Sequence, residues 1–375
     1  MLKRKIVAVL LLSFGVLALS GTDAFALKHR PKAKAIPKVN PVLTRNWGLD
    51  NQERASHINA KKAWKIAKAN KEVIVAVIDT GIDANHPLIK DHLWREKKTG
   101  AYGFDFITNK INPQDPHGHG THVAGIVLAA AGAESNKKSK VRLMPIRYYA
   151  ESDSRTNHLD FTVKAIEYAV DHGAKIINFS AEGIGFNRAE YRAIQRAQAK
   201  GVLFVTAAGN QSQDNDASSS PCYPASYDLP NIITVAATNI RNELVPSSNW
   251  GAKHVHVAAP GENIFSTLPN NAYGYLTGTS QATAYVSGVA AMLLSENPKL
   301  TPSDLKSIIE KSSDPIPALK SKVVAGGRIN AYSALLEARA ERKGSPVASV
   351  AVSEAPIPSF PLNLLPEARG LMGAP

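Results

Sequence analysis

Four polar residues of this chain stand where chemistry could be done: Asp79 and Asn210 directly after apolar runs, His119 and Ser280 directly ahead of small-residue helical stretches. Acyl transfer near neutral pH needs a nucleophile, a base to take its proton, a group to orient that base, and donors for the oxyanion. A serine, a histidine, an aspartate and an asparagine amide are suited to those four roles. Each has an ordinary alternative when taken alone. Asp79-Thr80-Gly81 is also good turn chemistry, Asn210 in Ala207-Ala208-Gly209-Asn210 could be a turn residue, and Ser280 could simply cap a helix. His117, His119 and His122 together invite a metal reading. Zinc sites on one helix, however, place two His four residues apart around a glutamate, whereas here the spacings are two and three with no acid between. A His at a helix start, facing an Asp at a strand end, fits a base held in one tautomer. The free backbone donors at the helix start after Gly278-Thr279 suit a developing oxyanion beside Ser280.

The elements that must position these residues show in the apolar pattern. Runs rich in Val and Ile at Val73 to Ile78, Val141 to Ile146, Ala174 to Phe179, Val202 to Ala207, Ile232 to Ala237 and Val255 to Ala258 predict buried parallel strands. Amphipathic stretches at Leu159 to Asp171 and Asn187 to Ala199 predict helices, closed by His172-Gly173 and Lys200-Gly201, and Ser280 to Ser295 predicts a third. Alternating strands and helices imply an α/β fold of three layers, a mostly parallel central sheet with helices on both faces. Ligands then gather at the carboxyl ends of the strands, where Asp79 and Asn210 fall.

Asp-Thr-Gly-Ile-Asp at 79–83, His-Gly-Thr-His-Val-Ala-Gly at 119–125, Ala-Ala-Gly-Asn at 207–210 and Gly-Thr-Ser at 278–280 resemble, in that order, the four signature blocks of the subtilisin-like serine peptidases. The order Asp, His, Ser is that of subtilisin, while α/β-hydrolases place the serine first. The resemblance covers roughly Trp47 to Ala340 and implies a subtilisin-like fold and a serine endopeptidase. Asp79, His119 and Ser280 would be its catalytic triad and Asn210 its oxyanion donor. Ser180, Ala181, Glu182 and Gly183, with Ala208, Gly209 and Cys222, would be its substrate-binding positions.

The chain departs from the family at several of these places. Ala284 stands where most relatives have proline four residues after the nucleophile, which removes a kink-promoting ring. Ser180-Ala181-Glu182-Gly183 replaces a Ser-Leu-Gly-Gly stretch, and Glu182 would favour a basic side chain near the scissile bond. Cys222 occupies a position, often glycine, near the floor of the main specificity pocket. It would shorten that pocket, or it is a small buried hydrophobe. Many relatives bind calcium through an Asp shortly after a His-Pro. Here His86-Pro87 is followed by Leu88, and Lys137, Lys138 and Lys140 occupy the other candidate loop, so the common site is expected to be absent and no cofactor or metal to be required; a calcium site elsewhere stays open. About twenty residues separate Ala26 from Trp47, too few for a prodomain with a core of its own.

Composition bounds the rest. A 375-residue chain with 44% hydrophobic residues can bury a real core, and its single cysteine, Cys222, excludes an internal disulfide. Lys3, Arg4 and Lys5, the apolar run Ile6 to Leu19 and Ala24-Phe25-Ala26 read as an export signal over residues 1–26. The run is shorter than the roughly 20 residues that span a bilayer, so no membrane association is expected after cleavage. The formal net charge is +13. Lys28, Arg30, Lys32, Lys34 and Lys38 crowd a leader at 27–45, but without interleaved aromatic residues they point to a solvated segment rather than to a nucleic-acid partner. The peptidase domain is expected over 46–340, and a disordered Pro/Ala-rich tail over 341–375. The expected partners are protein or peptide substrates, met by a secreted monomer.

Overall fold

The structure, a computed structural model, describes residues 40–51, 53–133, 139–150, 158–219 and 221–343. The signal segment, most of the leader and nearly all of the tail lie outside them. The helices are α1 (Pro41–Arg45), α2 (Ala60–Ile66), α3 (His119–Ala130), α4 (His158–Asp171), α5 (Arg188–Ala199), α6 (Thr279–Glu296), α7 (Pro302–Lys311) and α8 (Ala331–Lys343). The strands are β1 (Val73–Asp79), β2 (Phe104–Asp105), β3 (Lys110–Ile111), β4 (Val141–Arg147), β5 (Ile176–Phe179), β6 (Gly183–Ile184) and β7 (Leu203–Ala207), followed by β8 (Cys222–Tyr223), β9 (Ile232–Thr238), β10 (Val257–Pro260), β11 (Ile264–Leu268), β12 (Ala272–Leu276), β13 (Asp314–Pro315) and β14 (Gly327–Arg328).

Ten of these strands form one sheet in the order β13-β14-β10-β9-β7-β5-β1-β4-β2-β3. The six long ones, β10 to β4 in that order, are parallel throughout. They are the six Val- and Ile-rich runs of the sequence, with ends shifted by one or two residues. The chain passes from β1 to β4 on one side and then returns to place β5 on the other side of β1. The strand order therefore reverses at β1, and a crevice opens at the carboxyl ends there.

Side chains alternate across this sheet with a period of two. Val73, Val75 and Val77 of β1 join one core, with α3 and α6, while Ala76 and Ile78 join the other, with α4 and α5. The α6 helix lies across β1, β5, β7, β9 and β10, and α2, α7 and α8 close that face. Every residue of α6 is buried, and in α3 all but His119 are. Helices so apolar on all sides belong between other elements rather than at a surface. The two pack closely because Gly288 has no side chain: a Cβ there would come within 2.4 Å of the Val127 carbonyl.

Two ends of the domain differ from what composition suggests. Pro41–Arg45 falls in the basic leader by composition, yet it forms α1, capped by Asn40 Oδ1 accepting from the Val42 N–H at 2.9 Å, and Val42 is buried in the core. Five residues with a single buried side chain are too short for any period to reveal. At the other end α8 runs to Lys343, a few residues beyond 340.

Candidate active site

Asp79 closes β1 with the same parity as Val73, Val75 and Val77, so its carboxylate leaves the sheet on the face that carries α3 and α6. His119 opens α3 directly opposite. Its Nδ1 donates to Asp79 Oδ1 at 2.8 Å, which leaves Nε2 as the basic ring nitrogen. The approach depends on Gly120, where a Cβ would come within 2.1 Å of the Gly81 carbonyl. Asp115 holds the loop in place. Its Oδ1 accepts from the Thr80 hydroxyl and from the His117 and Gly118 N–H groups, and its Oδ2 from the Thr121 N–H and hydroxyl. A buried carboxylate thus meets the donors at the start of α3 that Gly118, without a side chain, cannot. Thr80 also accepts from the Gly120 N–H at 3.0 Å, tying the aspartate and histidine blocks together. Burial pushes the His119 pKa down, but the Asp79 carboxylate beside it, helped by Asp115, outweighs this and raises it above the ordinary 6.5.

Ser280 sits in the first turn of α6, where N–H groups have no helical partner. Its hydroxyl donates to the Ser180 carbonyl at 3.1 Å, and the Ser180 hydroxyl donates back to the Ser280 carbonyl at 3.1 Å. Among the described residues the serine hydroxyl makes no hydrogen bond to His119. Asn210 follows β7, and its Oδ1 accepts from the Thr279 N–H at 2.9 Å and the Thr279 hydroxyl at 3.2 Å. Anchoring the oxygen fixes the plane of the amide and leaves Nδ2 to donate elsewhere. Contacts spanning 40, 69 and 100 residues of sequence thus join the aspartate block to the histidine block, the asparagine block to the serine block, and Ser180 to Ser280.

The cleft beside them has a volume of about 570 Å³ and is lined by Asp79, His119, Ser180, Ala181, Glu182 and Gly183, together with Tyr148, Tyr149, Phe179, Tyr223 and the starts of α4 and α5. The remaining substrate positions lie behind Glu182. Its Oε2 accepts from the Asn210 N–H at 3.0 Å and faces Cys222 Sγ at 3.7 Å, and its Oε1 accepts from the Gln211 amide. A Cβ on Gly209 would meet Glu182 Oε2 at 2.3 Å, and the neighbouring Ala208 is fully buried. The acid expected to favour a basic substrate side chain is thus already engaged by donors of its own chain, through contacts 28 to 40 residues apart in sequence. Cys222 is buried, and burial together with Glu182 pushes its thiol up to about 12, so it stays protonated and unreactive at neutral pH.

His122 points away from this centre. Its Nε2 donates to the carbonyls of Ile264 and Gly274 at 3.0 and 3.3 Å, and burial pushes its pKa down to about 4. The three histidines therefore do not converge, and among the described residues no group of three or more His, Cys, Asp or Glu is placed to hold a metal ion. Ala284 is fully buried in an α6 that continues unbroken through it. Asp115, the hub of the site's hydrogen bonds, is not marked by the sequence as a functional residue. Its one sequence signal is that it stands four residues ahead of His119.

The model of the Subtilase family matches residues 70–339. Thermitase from Thermoactinomyces vulgaris is 37% identical over 281 residues, which cover 74% of this chain and 93% of that protein. The major intracellular serine protease of Bacillus subtilis (strain 168) is 33% identical over 263 residues, 69% of this chain and 80% of that one. Among solved structures, a lanthipeptide protease superposes with a TM-score of 0.64 over 77% of this chain and 97% of its own, at 24% identity, a likeness of fold. With the aspartate and histidine blocks in contact, the serine at a helix start and a family match over most of the folded body, this chain belongs to the subtilase family and is a serine endopeptidase.

Proposed function

We propose that the chain hydrolyses peptide bonds through an acyl-enzyme on Ser280. The Ser280 hydroxyl turns from the Ser180 carbonyl to His119 Nε2, gives up its proton there and attacks the substrate carbonyl. The oxyanion receives hydrogen bonds from Asn210 Nδ2 and the Ser280 N–H. The imidazolium, held by Asp79, then donates the proton to the leaving amine, and water attacks the acyl-enzyme by the same route in reverse. The observation that carries this reading is the 2.8 Å bond from His119 Nδ1 to Asp79 Oδ1 at the wall of a cleft that also holds Ser180, the hydrogen-bond partner of Ser280. No cofactor enters these steps. The chain acts outside the cytoplasm after removal of residues 1–26, a reading supported by the charged, apolar and small-residue order of that segment. Among the described residues no helix is long and apolar enough to cross a membrane.

The test compares the purified protein with Ser280→Ala for release of soluble peptides from casein at neutral pH, with and without a chelator. Activity confined to the unsubstituted protein and insensitive to chelator is the expected result. Absence of activity in both would favour a relative that binds peptides without cutting them, consistent with a serine hydroxyl turned to Ser180. N-terminal sequencing of the exported protein should begin at Leu27.

A further inference from the structure

The far wall of the cleft holds a second carboxylate that the chemistry above does not use. Glu190 lies in the first turn of α5, is 5% exposed, and lines the same cavity as Asp79 and His119. Its position is held from two sides. The Glu190 N–H donates to Asn187 Oδ1 at 3.0 Å, and Oε2 accepts from the Tyr227 hydroxyl at 2.7 Å. Oε1 has no partner among the described residues. A single neutral donor is poor compensation for a nearly buried carboxylate, and burial raises the Glu190 pKa despite the tyrosine. Glu182 contrasts with it, since both of its oxygens already have donors.

The surroundings of Glu190 suit a cation. The cavity is walled by the rings of Tyr148, Tyr149, Phe179 and Tyr223, whose faces attract positive charge. Three carboxylates line it, Asp79, Glu182 and Glu190, and no lysine or arginine does so among the described residues. This is the reverse of the chain as a whole, whose formal charge is +13. Of the three acids, Asp79 is paired with His119 and both oxygens of Glu182 have donors of their own chain, so outside the catalytic pair it is Glu190 that offers a carboxylate oxygen without a donor among the described residues.

We infer that the cavity is a specificity pocket for a basic side chain of the polypeptide substrate, an arginine or lysine that lies between the aromatic walls and ends on Glu190 Oε1. Ser280 and Asn210, where the residue bearing the scissile carbonyl must lie, are not among the residues that line the pocket, so the basic residue is a neighbour of that residue. This rests on the reading of the cleft as a peptidase site. It adds an ion pair to the hydrogen bonds of an extended substrate, and one charge-assisted contact in a desolvated pocket is worth roughly 10- to 100-fold in specificity.

The experiment uses a neutral parent peptide that the protein cuts, with norleucine replaced by arginine singly at each of the four positions on either side of the scissile bond. Arginine at one position should raise kcat/KM by roughly 10- to 100-fold over norleucine, chiefly through KM, and Glu190→Gln should bring that ratio to near one. Leu159→Lys, at an exposed rim of the cavity, should lower the ratio by like-charge repulsion, which covers the case in which Glu190→Gln does not fold. Equal rates for arginine and norleucine at every position, or a preference that survives Glu190→Gln, would overturn the proposal. Binding of the same labelled peptides to Ser280→Ala, read by fluorescence anisotropy, keeps the pocket separable from catalysis. If no peptide is cut but the arginine peptide binds more tightly than the norleucine one, the peptidase reading fails and the pocket stands. If peptides are cut without such a difference, the pocket fails and the peptidase stands.

Discussion

His119 governs how activity should depend on pH. The base works only when unprotonated, and although burial favours that state, Asp79 and Asp115 together raise its pKa above 6.5. Activity should therefore fall as pH drops through a midpoint above 6.5, visible as the acid limb of the kcat/KM profile. Asp79→Asn removes the charge that raises the pKa, so the midpoint should move down. The same change also unsettles the tautomer, and a loss of about 10⁴ in kcat is expected, by analogy with the triad aspartate of another serine protease. Asn210→Leu should cost on the order of 10²- to 10³-fold in kcat with little change in KM, a magnitude carried over from subtilisin. The residue types and their order make these roles legible in the sequence. Glu182 is legible there as an unusual residue but not in what it does, because the fate of a carboxylate depends on which donors come within about 3 Å of it.

At the scale of elements, the site is a junction of β1, α3, β5, β7 and α6, and its precision rests on close backbone approach and on one buried acid. Gly120→Ala would drive a Cβ into the Gly81 carbonyl and separate His119 from Asp79. A loss of about 1–3 kcal/mol in stability, with a larger proportional loss of kcat, should appear in denaturant melts and kinetics. Asp115→Ala strips the acceptor from five donors. Leaving buried donors unmatched costs about 1–3 kcal/mol each where water cannot replace the acceptor, so a total of about 3 kcal/mol or more should appear as a lowered urea midpoint. The strands and the helices α4, α5 and α6 are readable from local period alone. The helix α1 is not, since a single turn carries no period and is held by the burial of Val42.

For the whole molecule, the reversal of strand order at β1 places three independent strand ends around one crevice and sets two cores on either side of the sheet. The folded body begins before the boundary that composition suggests. A chain starting at Asn46 should melt several degrees below one starting at Asn40, because it forfeits about 1.5–3 kcal/mol from burial of Val42, and thermal melts of the two truncations would show it. The sequence by itself determined the layered α/β class, the positions of the long strands, and the order and types of the four residues that could do chemistry. Those properties depend on period and on residues adjacent in the chain, so they survive without any knowledge of the fold. Only the tertiary structure decided that Asp115 anchors the histidine loop, that Glu182 is spent on Asn210, Gln211 and Cys222, and that Glu190 faces the cleft with an oxygen to spare. Each of these depends on groups brought together from distant segments, and the energy of a buried charge is set by such neighbours in space.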